Sequence, residues 1–467
     1  MENKFTFFEK FLMISTKETI LFIAVLVALF YFMYILAKKR VNFSKRTLIA
    51  TAIGLILGLG IQAYSGFSND PMKIKYIAET TKWYSLFGNG FIDLIKMLVV
   101  PLVLISIIHV IVSINSNTNV KDLTKYTIVI TLVMVAISAV VGFVVAWVAK
   151  LGSSSVVIGS GDSKIKDVKD VVTIFRELIP SNPIKAMADL NVIGVVIFAM
   201  FIGVAARKVY TRNPEKAQTF VDYIGSLQAI ISRVAAMIIK LMPYAVIPLL
   251  ANTIAQRGLQ SIKDVLLFIV LLYVAVVIQF VFQAIVLLVH GISPLTYFKK
   301  AGKTLILAFT SRSSVGTLPV TIRTLEQELG VNTSTANFVA SFSSTAGMQG
   351  CAGIYPAMLV VFLANANGIA VDLTLFIMTI IVVTIGSVGI AGVPGTAITA
   401  ASVTVSGVGF SSFFNQINPI LAIDPLLDMG RTCLNVSGGL TNAILVDKYL
   451  KQFDKNAFNA PISETVQ

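Results

Sequence analysis

Two cysteines and two histidines are all that 467 residues offer to thiol or imidazole chemistry. Cys351 and Cys433 are too few for a disulfide framework, and with His109 and His290 they do not make a closed zinc site. Neither a metal nor a redox compartment is read from them. Charge is scarce too: Asp, Glu, Lys and Arg make up 13% of the chain, against about a quarter in a soluble domain. With 56% hydrophobic residues, a water-soluble globule is excluded. The acidic sign is the rarer, 23 residues against 37 basic, and the net charge of +14 fits a nucleic-acid binder or an oriented membrane protein. The apolar background selects the membrane and leaves no nucleic-acid partner.

Long uncharged runs fill the space that charge vacates. A bilayer core of about 30 Å takes about 20 mostly apolar residues per helix. Runs of that kind lie at 19–37, 47–66, 84–113, 126–149, 186–206, 217–250, 265–290, 335–366 and 417–446. The first could be cleaved as a signal peptide, but no small-x-small site follows it. Lys38-Lys39-Arg40 stands directly behind it, as for a retained anchor. Lys and Arg of short loops stay in the cytoplasm. They cluster at 38–46, 207–216 and 296–303, which puts the N-terminus outside and the tail 451–467 inside. The stretch 151–185 balances Lys164, Lys166 and Lys169 against Asp162, Asp167 and Asp170, as an external loop does.

Two apolar pieces, 296–325 and 371–410, do not read as ordinary spans. The first carries Ser311-Arg312-Ser313-Ser314 and Gly316-Thr317-Leu318-Pro319; the second carries Gly389 and Gly392-Val393-Pro394-Gly395. Irregular backbone at membrane depth survives only when buried in protein or lining a cavity. Each piece therefore reads as a re-entrant helical hairpin with its tip at a site. Each precedes a helix broken by polar residues: Ser341 to Cys351 after the first, Asp424 to Asn435 after the second. A unit that occurs twice is the signature of an inverted repeat, and transporters bind substrate at such a repeat interface. The plainer reading is a pair of glycine-rich packing helices.

At roughly 100° per residue, Asp428, Arg431 and Asn435 return to within about 40° of Asp424, with Thr432 at the margin. The result is one polar stripe in the last span. Charge at the bilayer centre costs roughly 2.5–3.5 kcal/mol on insertion scales, so such residues face a protein interior and mark a pathway. A helix-bridging Asp–Arg pair is the alternative. Carboxylates take an ammonium, a guanidinium takes a carboxylate in a bidentate pair, and an Asn holds a second carboxylate, which suits an amino acid with an additional acidic end. Asp93 and Lys96 read as an i, i+3 ion pair, and His109 as a packing residue. A serine hydrolase at Ser311, Ser313 and Ser314 lacks a base within reach. A channel would line its pore with rings of charge or carbonyls, whereas charge here is confined to one helix. The chain reads as a transporter and no enzyme.

The stretches Phe91 to Pro101, Arg312 to Pro319, Ala391 to Gly395 and Asp424 to Asn435 resemble the dicarboxylate/amino acid:cation symporters, of glutamate-transporter-like fold. They occur in that family's order over about 44–450, with 19–37 as an addition in front. The resemblance implies an all-α polytopic membrane protein in the plasma membrane, and a homotrimer. In each protomer, 44–295 would be mainly scaffold with parts of the transport domain, and 296–450 the core of a transport domain that moves as an elevator. It implies that Asp428 and Thr432 hold the α-ammonium, Asn435 the α-carboxylate and Arg431 a distal carboxylate. Backbone groups of Ser313, Ser314, Gly392, Val393 and Gly395 would close over the substrate.

The departures matter as much. An Asn-Met-Asp triplet of sodium-driven members is here Gly347-Met348-Gln349, an aspartate is Gly439, and a Thr-Ser pair aligns with Met134-Val135. Hard cations prefer carboxylate oxygens, so two of the family's sodium sites read as dismantled. A third, of carbonyls around Thr345, Ser387, Val388 and Ile390, needs no particular side chain. Coupling is then to H+ or Na+, with Asp424 or Asp428 as proton carriers in the first case. Gln349-Gly-Cys351 and the extra helix resemble the L-cystine uptake branch, which adds Cys351 to the substrate-contacting set. Acidic amino acids or dicarboxylates are the alternative substrates. No cofactor is expected.

Overall fold

The computed structural model describes residues 11–68, 70–112, 118–153, 179–189, 192–257, 259–389 and 396–461. Its helices are α1 (Lys17–Lys38), α2 (Phe43–Tyr64), α3 (Lys75–Val112), α4 (Thr118–Val148), α5 (Pro183–Ala188), α6 (Val192–Arg212), α7 (Pro214–Ile239), α8 (Met242–Arg257) and α9 (Leu259–Val289). The C-terminal part adds α10 (Pro294–Ser311), α11 (Ser314–Gln327), α12 (Thr333–Thr345), α13 (Tyr355–Ala366), α14 (Leu373–Gly389), α15 (Thr396–Gly407), α16 (Asn418–Ala422), α17 (Asp424–Tyr449) and α18 (Lys455–Asn459). No strand occurs among the described residues. Among the described residues, eight stretches are long and apolar enough to cross a bilayer, from Lys17–Lys38 to Thr333–Ala366.

The chain divides into two compact units. One comprises 1–97, 237–269 and 415–426. Within it α1 has a defined start: Thr16, in extended backbone, accepts from the Thr19 amide at 3.2 Å. Glu79 of α3, 2% exposed, accepts from the Ser15 amide at 3.0 Å, from the Ser15 hydroxyl, and from Thr19 Oγ1 at 2.8 Å. A carboxylate thus sits at the N-terminal end of α1, where the helix dipole favours negative charge. Trp83 donates to Leu12 O and Tyr84 to Phe22 O, so the added helix is stitched to α3 along more than one turn. α2 packs along α8, and Gln62 of α2 donates to the Ala255 carbonyl at 2.7 Å.

The other unit comprises 98–236, 270–414 and 427–467. One of its cores joins Leu123 of α4, Leu287 of α9, Tyr297 of α10, Leu325 of α11, Val339 of α12 and Leu440 of α17. A second joins Val103 of α3, Val195 of α6, Ile224 of α7, Cys351 and Val403 of α15. His109 of this unit is half-buried beside Gly225.

Several expectations change in detail. Residues 296–325 form a hairpin of two helices, α10 and α11, turned at Arg312 (φ 55°) and capped by Ser313. Residues 371–410 give a second pair, α14 packed on α15, whose junction 390–395 lies outside the described residues. Run 335–366 is two helices with a break between them, and run 417–446 is α16 followed by α17. Run 217–250 is also two helices: α7 ends at Ile239 and α8 begins at Met242, with Pro243 at its start, where a missing N–H costs nothing. The tail is docked for part of its length. Phe458 of α18 is 1% exposed, Asp454 N donates to Gly330 O at 2.9 Å, and Lys300 Nζ donates to the Glu328 and Ala457 carbonyls at 2.8 and 3.2 Å. Stretch 151–185 is described only at its two ends, and the Lys96 side chain is not described, so the expected Asp93–Lys96 pair lies outside the described residues.

Candidate functional site

The site forms where the helix after the first hairpin breaks. α12 ends at Thr345, and Ala346 is extended. Gly347 then turns with φ +66°, and a Cβ there would lie 2.0 Å from Thr131 Cγ2 of α4, so both conformation and space demand glycine. Gln349–Ile354 resume as a wide π turn that leads into α13. Such turns free backbone groups from the helical ladder and often occur at functional sites. The freed amides find a partner at once: Asn435 Oδ1 of α17 accepts from Gly350 N at 2.8 Å and from Cys351 N at 3.3 Å.

Around that junction four of the expected residues meet a fifth. Asp428 Oδ1 accepts from Thr432 Oγ1 at 3.1 Å, faces Arg431 Nη2 at 3.4 Å, and takes the Cys351 thiol at 3.8 Å. Asn435 Nδ2 donates to Cys351 Sγ at 3.1 Å. Arg431 is fully buried, with its guanidinium carbon 4.2 Å from the centre of the Tyr355 ring. The stack keeps the planar fork in one orientation, which a bidentate partner requires. Asp428 is the partly open member, its side chain 24% exposed. One carboxylate, one guanidinium, one hydroxyl and one amide therefore lie within a single turn of α17 and its neighbour. That set can bind an ammonium and two carboxylates.

The first hairpin reaches the same place. A small, partly open cleft is lined by Ser314, Leu318 and Thr321 of α11, by Ala340, Ser343 and Ser344 of α12, and by Asn435, Val436 and Gly439 of α17. Ser313 spends its hydroxyl on the Gly316 amide at 2.9 Å, and its carbonyl accepts from the Thr317 amide and hydroxyl, each at 3.1 Å. Of the second hairpin, Gly392, Val393 and Gly395 lie outside the described residues, as does Ile390 of the expected carbonyl set. Within that set the Ser387 carbonyl accepts the Gly347 amide at 3.2 Å, so the end of α14 meets the helix break close to Thr345; Val388, the next residue, is half-buried. Among the described residues no group of three or more His, Cys, Asp or Glu is placed to hold a metal ion.

Asp424 opens α17 and is 8% exposed, in the unit of residues 415–426, whereas Asp428 falls in the other unit. Met134 and Val135 are both buried, as apolar substitutes should be.

Sequence reasoning missed three groups. Tyr355 under Arg431 carried no polar context to mark it. Tyr273 of α9 packs against Gly430, where a Cβ would be 2.8 Å from its ring. Gln279 and Gln283, one turn apart on α9, both donate to Gln349 Oε1 at 2.9 Å. Two glutamines at i and i+4 in an otherwise apolar run were a readable signal, because buried amides there need partners.

Known proteins sharpen the picture. A family model described as the sodium:dicarboxylate symporter family matches residues 43–449. The L-cystine uptake protein TcyP of Bacillus cereus (strain ATCC 10987 / NRS 248) is 35% identical over 457 residues, covering 95% of this chain and 97% of its own. Those of Shouchella clausii and Bacillus licheniformis are 35% and 34% identical over the same length. A match over nearly the whole chain, on a helical polytopic architecture, means that this chain belongs to the sodium:dicarboxylate symporter family.

Proposed function

We infer that this protein imports L-cystine across the plasma membrane by cation-coupled symport. The observation that carries the reading is the convergence of Asp428, Arg431, Thr432 and Asn435 with Cys351 at the helix break. The relatives named for cystine uptake support it. In this reading Asp428 and Thr432 hold the α-ammonium, Asn435 takes the α-carboxylate through the Nδ2 hydrogen not given to Cys351, and Arg431 takes the carboxylate at the far end of the disulfide. Backbone groups of Ser313, Ser314, Gly392, Val393 and Gly395 close over the bound molecule.

Residues 296–450 would be the core of the moving part, and parts of 44–295 would travel with it. The remaining helices form the scaffold and the contacts of a homotrimer, and the whole works as an elevator. Basic loops put the N-terminus outside and the C-terminus in the cytoplasm. The coupling ion is H+ or Na+, with Asp424 or Asp428 as carriers in the first case and the carbonyls near Thr345, Ser387, Val388 and Ile390 in the second. Uptake of labelled cystine into proteoliposomes, with aspartate, glutamate and succinate as competitors, tests the reading. Saturable uptake of labelled aspartate, glutamate or succinate that excess cystine does not suppress would favour the acidic-substrate alternative, which Arg431 alone would equally permit.

A further inference from the structure

Behind the substrate face lies a chain of buried, uncharged polar groups. Gln349 Oε1 receives Gln279 Nε2 and Gln283 Nε2, each at 2.9 Å, and Gln283 Oε1 receives Ser437 Oγ of α17 at 2.6 Å. Ser437 Oγ continues to the Tyr297 hydroxyl of α10 at 2.9 Å. Gln279, Gln283, Ser437 and Tyr297 are fully buried and Gln349 is 1% exposed. This network ties Gln349 to α9, α17 and α10 through four hydrogen bonds and leaves Gln279 Oε1 and Gln349 Nε2 without a partner. What it joins is the residue immediately before the two amides that hold Asn435.

We propose that Gln349 is a positioning residue for substrate binding: its side-chain oxygen, gripped from α9, fixes the turn whose Gly350 and Cys351 amides orient Asn435. The role rests on the reading of Asn435 as the α-carboxylate residue. Because the Asn435 oxygen is committed to the turn and one Nδ2 hydrogen goes to Cys351 Sγ, the other Nδ2 hydrogen is the part left to face an anion. If the turn relaxes, that commitment loosens and the donor loses its aim.

The same geometry states what position 349 requires. Gln349 Nε2 makes no hydrogen bond and lies against Gly438, where a Cβ would be 2.6 Å away. Only the acceptor is used. A protonated glutamic acid supplies that acceptor with nearly the same shape, whereas an ionised one places an oxygen anion in a buried space without a donor. The immediate neighbours, Gln279, Gln283 and Ser437, carry no charge. Charged or titratable side chains on the surrounding elements include Asp428, Arg431 and Cys433 of α17, Tyr273 of α9, Tyr297 of α10, Cys351 of the turn itself and Tyr355 of α13. The same elements also carry Asp424, Asp447, Lys448 and Tyr449 at the ends of α17, Lys299, Lys300 and Lys303 on α10, and Lys121, Asp122, Lys125 and Tyr126 at the start of α4.

The test is the KM for uptake in proteoliposomes of Gln349→Glu divided by that of wild type at each pH, so that any pH dependence of wild type cancels. The account expects a ratio within about threefold at pH 5.5 that rises beyond about tenfold at pH 8.5. A ratio that is flat with pH, whether near unity or high, overturns it, because a purely structural role has no reason to follow protonation. Gln279→Leu removes one of the two donors and leaves charge unchanged. A several-fold rise in KM at constant maximal rate is expected, and wild-type KM in this variant overturns the proposal even if the glutamate variant does not fold. Should wild type take up no cystine, the functional reading fails separately, and both variants are then measured with whichever of aspartate, glutamate or succinate wild type transports.

Discussion

Asn435 and Cys351 grip each other across the helix break: the Asn435 oxygen takes the Cys351 amide at 3.3 Å while its nitrogen reaches the Cys351 sulfur at 3.1 Å. The pairing places a thiol between the amide and the Asp428 carboxylate, at the centre of the site. Serine preserves a donor and an acceptor there. Cys351→Ser is therefore expected to keep uptake within a few-fold of wild type, and Cys351→Ala to weaken substrate by about 3- to 10-fold, as for the loss of one or two modest hydrogen bonds. Saturating substrate should slow alkylation of Cys351 by a small thiol reagent. Complete loss of uptake in the serine variant would point instead to covalent exchange with the substrate disulfide.

Arg431 is fully buried and stacked on Tyr355, which makes it intolerant of its nearest chemical relative. Lysine keeps the charge but loses both the fork and the stack. Arg431→Ala and Arg431→Lys are each expected to lower affinity by about 10- to 100-fold, corresponding to the loss of a charge-assisted pair. Thermal unfolding of the purified variants, compared with uptake, checks that the loss is one of binding. Unchanged affinity in the lysine variant would show that only charge is read.

Gly347 bears a positive φ and faces Thr131 with no room for a methyl group. Gly347→Ala combines backbone strain with overpacking, each worth about 1–3 kcal/mol. A marked fall in unfolding temperature is expected, and Gly347→Ala combined with Thr131→Ser should recover part of it. An alanine variant as stable as wild type would mean that the break does not take this form.

Glu79 ties the start of α1 to α3 through Ser15 and Thr19. Glu79→Gln keeps the shape but removes the charge that faces the helix N-terminus, so faster hydrogen exchange over residues 15–22 is expected with little change elsewhere. Equal exchange in both proteins would remove the clamp from the account.

How much of this was legible in the residues follows from what each signal depends on. The hairpin at 296–325 was readable because Arg312-Ser313-Ser314 and Pro319 interrupt an apolar run, and Ser313 is indeed the cap of α11. The stripe of Asp428, Arg431 and Asn435 was readable because charge inside a span needs a reason. The helix break was only half visible: polarity marked 341–351, but the turn at Gly347 depends on Thr131, more than two hundred residues earlier, which no local pattern encodes. The amide network is of the same kind, since Gln349 acquires its role from Gln279 and Gln283 on another helix. Separation of α7 from α8 was hidden because a helix of 26 residues followed closely by one of 16 looks like one long run.

Coupling is open to one exchange experiment. The apolar Met134 and Val135, the amide at Gln349 and the missing side chain at Gly439 remove ligands that hard cations favour. Uptake is expected to persist when choline replaces sodium and to collapse with a protonophore. Abolished uptake in choline would assign the work to sodium and to the carbonyls near Ser387.

The most direct measurement is the uptake of labelled L-cystine by purified protein in proteoliposomes, with an imposed gradient and graded unlabelled competitors. Saturable accumulation that cystine suppresses and aspartate, glutamate and succinate do not is the predicted result. Accumulation of an acidic amino acid or dicarboxylate that excess cystine leaves untouched would contradict it.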